Sequence, residues 1–212
     1  LILLLFNSLL FSQINKDGSP ITEFYDEDIY GNAGQIWAIE QGPSGMIYIG
    51  TNYGLKTYDG KDWRSYNLET TTIVRSLAVS EDGVVFYGGE TDFGAVIADK
   101  QGELKFISFR EQFYKDKDPK FGTIWKTYLT KDKLWFQSFE KIFYCELPIK
   151  IDSEGILQNE VHTIEAEKLF HLAFSANNKM FVREWETGLC EIKGDGYELV
   201  PGGEQFALTR IY

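Results

Sequence analysis

The chain has 212 residues, 16 % of them aromatic, a formal net charge of −11, and only two cysteines and two histidines. That acidity argues against nucleic-acid contact, which needs a basic footprint, and against docking on an anionic membrane surface. So few cysteines and histidines give neither a disulfide framework nor a His-rich metal spacing.

The first stretch, Leu1 to Phe11, is apolar and ends in Phe11-Ser12-Gln13. It resembles the hydrophobic region and cleavage site of a secretory signal peptide, and at ~11 residues it is shorter than the ~20 that span a bilayer. Residues 1–13 are therefore expected to be a signal-peptide remnant, and the chain to be exported to a periplasmic or other extracytoplasmic location.

From Gln35 on, one unit repeats. Ile36-Trp37-Ala38-Ile39, a Gly/Pro/Ser turn, Met46-Ile47-Tyr48-Ile49-Gly50 and Gly54-Leu55-Lys56-Thr57-Tyr58-Asp59-Gly60 form the first copy. In the second, Ser80-Glu81-Asp82-Gly83 and Val84-Val85-Phe86-Tyr87-Gly88 repeat the turn and the strand after it. The third runs through Ile124-Trp125-Lys126-Thr127-Tyr128, Leu134-Trp135-Phe136-Gln137 and Ile142-Phe143-Tyr144. The fourth runs through Phe170-His171-Leu172-Ala173-Phe174, Met180-Phe181-Val182-Arg183 and Gly188-Leu189-Cys190-Glu191-Ile192. Short alternating strands, glycine turns and a period of roughly 40 residues predict a β-propeller.

The expected fold is all-β: about four blades of four-stranded antiparallel sheet in an open arc, near 35–68, 73–109, 123–166 and 169–200. Residues 14–212 then form the N-terminal part of one propeller domain. Ala207 to Tyr212 reads as the first strand of a fifth blade, and rings of this kind usually close with about 4 to 8.

Cys145 and Cys190 fall at the same strand position in consecutive copies. Packed sheets lie about 10 Å apart, beyond the ~7 Å Cα separation a disulfide tolerates, so two free thiols are expected. His162 falls in the long connection of the third copy and His171 in an apolar inner strand. No Gly-Lys-Ser/Thr loop, Gly-x-Ser-x-Gly elbow or His-Glu-x-x-His helix is present. Asp26-Glu27-Asp28 and Asp116-Lys117-Asp118 lack the distal Glu of a calcium loop. Neither catalytic residues nor a metal or cofactor is expected.

The remaining candidate is the rim onto which the second-to-third strand loops and the starts of the inner strands converge. Tyr53, Arg75, Glu90, Asp92, Phe93, Lys126, Arg183, Glu184 and Trp185 fall there. Aromatic faces beside charged groups suit a small polar ligand such as a carbohydrate. The same aromatic rings could instead plug the blade ends, and Trp37 and Trp125, one step into the inner strands, read as structural.

The pattern Gln35-Ile36-Trp37-Ala38-Ile39, Gly45-Met46-Ile47-Tyr48-Ile49-Gly50-Thr51, Gly54-Leu55, Tyr58-Asp59-Gly60 resembles the two-component-regulator propeller repeat. Asp92-Phe93-Gly94, residues 121–128 and residues 199–206 look like the sensor regions of exported bacterial proteins with a triple-tyrosine domain after the propeller. The third copy departs from the pattern, with Lys133 in place of glycine and Ser138-Phe139-Glu140 in place of Gly-Thr. The resemblance implies a non-catalytic, ligand-sensing region of a membrane-bound signalling protein. Its partner would be a downstream triple-tyrosine domain, its membrane attachment would lie in a later segment, and its output would be a histidine kinase or a LuxR-type regulator. The alternatives are a secreted binding or scaffold propeller, and a propeller enzyme such as a lyase or quinoprotein using His171 or His162.

Thiol labelling of the unreduced, denatured chain is expected to add two labels; no labels would mean a disulfide.

Overall fold

Each repeat folds into one antiparallel sheet because its apolar residues alternate and its turns carry residues that tolerate positive φ. The computed structural model describes residues 22–68, 71–99, 102–113 and 122–209, with Gly18 and Ile211. The expected signal-peptide remnant lies outside the described residues.

The first sheet contains β1 (Ile36–Gln41), β2 (Ile47–Thr51), β3 (Gly54–Tyr58) and β4 (Trp63–Tyr66). The second contains β5 (Val74–Val79), β6 (Val85–Gly89), β7 (Phe93–Ala98) and β8 (Leu104–Ser108). The third holds β9 (Lys126–Leu129), β10 (Lys133–Gln137), β11 (Lys141–Glu146) and β12 (Val161–Glu165). The fourth holds β13 (Phe170–Ala176), β14 (Lys179–Glu184), β15 (Gly188–Lys193) and β16 (Gly196–Leu199). Strands pair in sequence order within every sheet. The helices among the described residues are one-turn pieces, α1 (Glu27–Tyr30), α2 (Arg110–Phe113) and a 3₁₀ turn at Gly203–Phe206.

The inner strands stand side by side, β1 next to β5, β5 next to β9 and β9 next to β13. The four sheets therefore follow one another as blades in an open arc, a partial propeller. His162 pairs with Tyr144 inside the outer strand β12, rather than lying in a connection. At the C-terminal end, Ala207, Leu208 and Thr209 are turn or bend rather than strand, and Arg210 and Tyr212 lie outside the described residues.

The turns explain how one blade can tolerate different sequences. In the first two blades the amide of Gly45 or Gly83 donates to the carbonyl three residues earlier, at φ of 87° and 88°. The third blade has Lys133 at this point and makes a tighter turn, with Thr130 N donating to Lys133 O at 2.9 Å. In the fourth, Asn177 and Asn178 take φ of 50° and 59°, a conformation asparagine reaches more cheaply than most residues.

Burial is concentrated between blades. Leu55, Val74, Leu77, Val85, Tyr87 and Val96 fill the space between the first and second. Phe86, Phe93, Phe109, Ile124, Leu134, Phe136 and Phe143 fill that between the second and third. Trp135, Ile142, Tyr144, Phe170, Met180 and Val182 do the same between the third and fourth. Cys145 belongs to the second of these cores and Cys190 to the third, which keeps the thiols apart and free. Loss of solvent pushes the Cys145 thiol up to about 12 and that of Cys190 to about 11. Both stay protonated and weakly nucleophilic at neutral pH.

How closely two blades approach is set by one position on the second strand. Gly50 of the first blade faces the Val74 backbone, and Gly88 of the second faces Ile124 and Ser76. Gln137 of the third accepts from Ala173 N at 3.3 Å, and Arg183 of the fourth donates to Phe206 O and Ala207 O at 3.0 and 2.5 Å. A side chain at Gly88 would overlap Ile124. Gly88→Val is expected to lower the unfolding free energy by about 1–3 kcal/mol in urea denaturation, the usual cost of overpacking.

Candidate functional site

Every inner strand begins with an extra residue that its partner strand does not match. In the first blade Ile36 pairs with Thr51 and Ala38 with Gly50, leaving Trp37 between them. In the second Val74 pairs with Gly89 and Ser76 with Gly88, leaving Arg75. In the third, Trp125 N donates to Gln137 O at 2.8 Å although Gln137 is already opposite Lys126. The fourth has its irregularity between Phe170 and Ala173, an interval that holds His171 and Leu172. A bulge turns its extra side chain away from the alternation of the strand. Trp37, Arg75, Trp125 and His171 therefore occupy one position in successive blades.

These side chains stack from blade to blade. The Arg75 guanidinium lies 4.0 Å from the Trp37 ring centre and 4.7 Å from that of Trp125. Trp125 stacks on Phe139 at 5.1 Å, and Phe139 lies parallel to His171 at 6.4 Å. Trp37 is fixed at its far edge by donating from Nε1 to Asn52 Oδ1 at 2.6 Å. Two indole faces stabilise a cation and hold its plane, and each such contact is worth about 0.5–2 kcal/mol.

The edge of the same guanidinium is poorly served. Nε and Nη1 of Arg75 are closed off from solvent and have no hydrogen-bond partner. Nη2 approaches Glu90 Oε1 at 3.8 Å, an ion-pair distance too long for a hydrogen bond. Arg75 lines a groove of about 390 Å³ along the inner strands, together with Trp37, Glu40, Lys126 and Tyr128. Burial raises the Glu40 carboxyl above its ordinary value.

The sequence-predicted rim residues separate into two groups. Arg75 and Lys126 line the groove, half-exposed Glu90 stands beside Arg75, and Tyr53 and Trp185 are exposed on the rim loops. Asp92, Phe93, Arg183 and Glu184 face the blade interiors instead, and this corrects their expected place in a ligand-contacting rim. Asp92 accepts from Tyr87 at 2.8 Å, from Ser108 at 2.5 Å and from Phe93 N at 2.9 Å. Phe93 stacks on Phe143 of the next blade. Arg183 holds the two carbonyls described above and lies over Trp185 at 4.3 Å. Glu184 accepts from Lys168 N at 2.6 Å. Each is used to fasten a loop to its own blade or to a neighbour.

Trp37 and Trp125, expected to be structural, clamp the Arg75 guanidinium between them, and Trp37 also lines the groove. The signal that identifies them is positional, since laying the copies over one another puts both at the place of Arg75. His162 is at a different contact. It stacks on Tyr144 at 4.6 Å, and its Nδ1 lies 3.0 Å from Asp195 Oδ1, which also accepts from the Tyr144 hydroxyl at 2.5 Å. That hydrogen bond holds the Asp195 carboxyl below its usual value, and the cluster ties the third blade to the fourth.

No family model matches the chain, and no curated protein does either. The likeness to the two-component-regulator repeat therefore stands on the residues quoted for it. Among solved structures, the extracellular domain of BT4673 from B. thetaiotaomicron, described as a one component system, is 18 % identical over 81 % of this chain at a TM-score of 0.49. A second structure of that domain, described as part of a hybrid two component system, is 20 % identical over 75 % at 0.46. The extracellular domain of the hybrid two component system BT3049 from the same organism is 15 % identical over 74 % at 0.49. The matches cover 21 %, 20 % and 21 % of those chains, so this chain spans about a fifth of their length. Likeness at this level identifies neither ligand nor chemistry.

Arg75 and Arg183 should respond unequally to removal. Arg75→Met gives up two indole contacts but also removes two buried N–H groups that have no acceptor, and because these offset it is expected to change the unfolding free energy by less than about 1 kcal/mol. Arg183→Met strands two carbonyls and is expected to cost about 1.5–3 kcal/mol, both read by urea denaturation.

Proposed function

We propose that this chain is the ligand-binding part of an extracytoplasmic sensor, non-catalytic in this segment, which takes a small polar ligand such as a carbohydrate. The observation that supports this reading is the Trp37–Arg75–Trp125 stack at the groove. It holds a cation between two indole faces beside a groove that Trp37, Arg75 and Lys126 line where the inner strands of three blades meet. Groups from separate blades, held rigid by the cores between them, suit recognition of a ligand that touches several blades at once. Tyr53, Glu90 and Trp185 extend the polar and aromatic surface along the rim.

The sensing role follows from the resemblance to exported propeller regions that precede a triple-tyrosine domain. In this reading the full protein is anchored in the inner membrane through a later segment and passes the signal to a kinase or a LuxR-type output. The ligand acts by binding one arrangement of propeller and downstream domain better than another, and that difference in affinity is the signal. No helix among the described residues is long and apolar enough to cross a membrane, so the anchor is assigned outside them.

Titrating the 212-residue chain with a panel of neutral and acidic oligosaccharides, followed by tryptophan fluorescence, tests the reading. A saturable change is expected, and Trp125→Leu should weaken it by about tenfold, the loss of one good stacking contact. Absence of a saturable response across the panel, with folded protein, would overturn the proposal.

A further inference from the structure

The groove carries more information than its shape, because its charges run against the character of the chain. The protein is strongly acidic, with a net charge of −11. Yet the groove brings together Arg75 and Lys126, and Lys126 has no acidic partner among the described residues. Glu90 is the countercharge of Arg75 among the described residues. It is half-exposed and sits 3.8 Å away, and two other guanidinium N–H groups have no acceptor. Those two donors are closed off from solvent, so the donor left for a ligand is Nη2, which Glu90 approaches without a hydrogen bond.

Arginine also fits a particular partner. Its planar fork matches the paired oxygens of a carboxylate, sulfate or phosphate, and a guanidinium already clamped between two rings loses little freedom on binding. Lysine adds a point charge without demanding a fixed geometry. A neutral sugar hydroxyl would leave both charges uncompensated in the groove.

We infer that the ligand of this groove bears an oxyanion, a carboxylate or a sulfate, held between Arg75 and Lys126. This rests on the reading of the groove as the ligand site. The anion takes over the Nη2 edge that Glu90 approaches but does not bond, so Glu90 acts as a weak internal competitor. Glu40, on β1 farther along, is the acidic residue among the described residues that line the groove, and it favours a ligand whose anion sits at the Arg75 end.

The test is calorimetric titration of the 212-residue chain with glucuronate, inorganic sulfate and glucose. Saturable binding of glucuronate or sulfate, and none of glucose, is expected; whichever anion binds identifies the source of the oxyanion. Arg75→Met should weaken that binding by at least about tenfold, the value of one charged hydrogen bond. Glu90→Gln should strengthen it, because the competing carboxylate is gone. A Glu90 that only supported the fold would give weaker binding or none. Equal binding of glucose and glucuronate, or anion binding unchanged in Arg75→Met and in Lys126→Met, would overturn the inference. Should Arg75→Met fail to fold, Glu90→Gln and Lys126→Met decide the matter. A neutral oligosaccharide that binds regardless of Arg75 would sink the oxyanion and leave the sensor reading standing; no binding of any probe or oligosaccharide would remove both.

Discussion

A four-stranded sheet has two faces, and here both faces of an interior blade must be covered by another sheet. That constraint organises the molecule. The large buried side chains gather into three cores, each between two blades, and Phe86, Phe93 and Phe136 contribute more to holding blades together than to any single sheet. A blade by itself would expose nearly everything that stabilises it, so the repeat is a unit of sequence but not of folding. The spacing between blades must also be set at one place. It is set at the second-strand position occupied by Gly50, Gly88 and Gln137, where glycine admits the next inner strand and Gln137 bonds it; at the same position of the fourth blade Arg183 holds the carbonyls of the turn that follows β16.

The same arrangement produces the candidate site. Because the blades are equivalent, a bulge at the start of each inner strand delivers one side chain per blade to a common level. Neighbouring blades are close enough for those side chains to stack. What would be a local irregularity in an isolated hairpin becomes a row of Trp37, Arg75, Trp125 and His171. The row can vary in chemistry from blade to blade while its geometry stays fixed by the cores behind it. Rigid packing and a changeable surface are thus supplied by different positions of the same repeat.

Much of this was legible from residue patterns. Alternation in Ile47-Tyr48-Ile49 or Leu134-Trp135-Phe136, and turn residues such as Gly45, Gly83 and Asn177-Asn178, identify the strands and their order, because both depend on local backbone preference. The site was legible only in part. Asp92 and Arg183 look like rim groups, since they are charged and sit beside loops. Their direction is decided by whether an inward partner exists, and Tyr87, Ser108 and the Phe206 and Ala207 carbonyls supply one. His162, read as part of a connection, became a strand residue because β12 pairs along β11 and places it over Tyr144.

The sequence by itself determined that this is a repeated, all-β, acidic chain whose blades must pack on both faces, since those properties follow from period, composition and local conformational preference. Only the tertiary structure decided which charges are spent inside and which remain for a ligand. Arg75 and Arg183 stand at neighbouring positions of the repeat and read alike as letters. One finds two backbone carbonyls and the other finds two indole faces and a distant carboxylate, and that difference arises from residues far away in the chain, brought together by the stacking of blades.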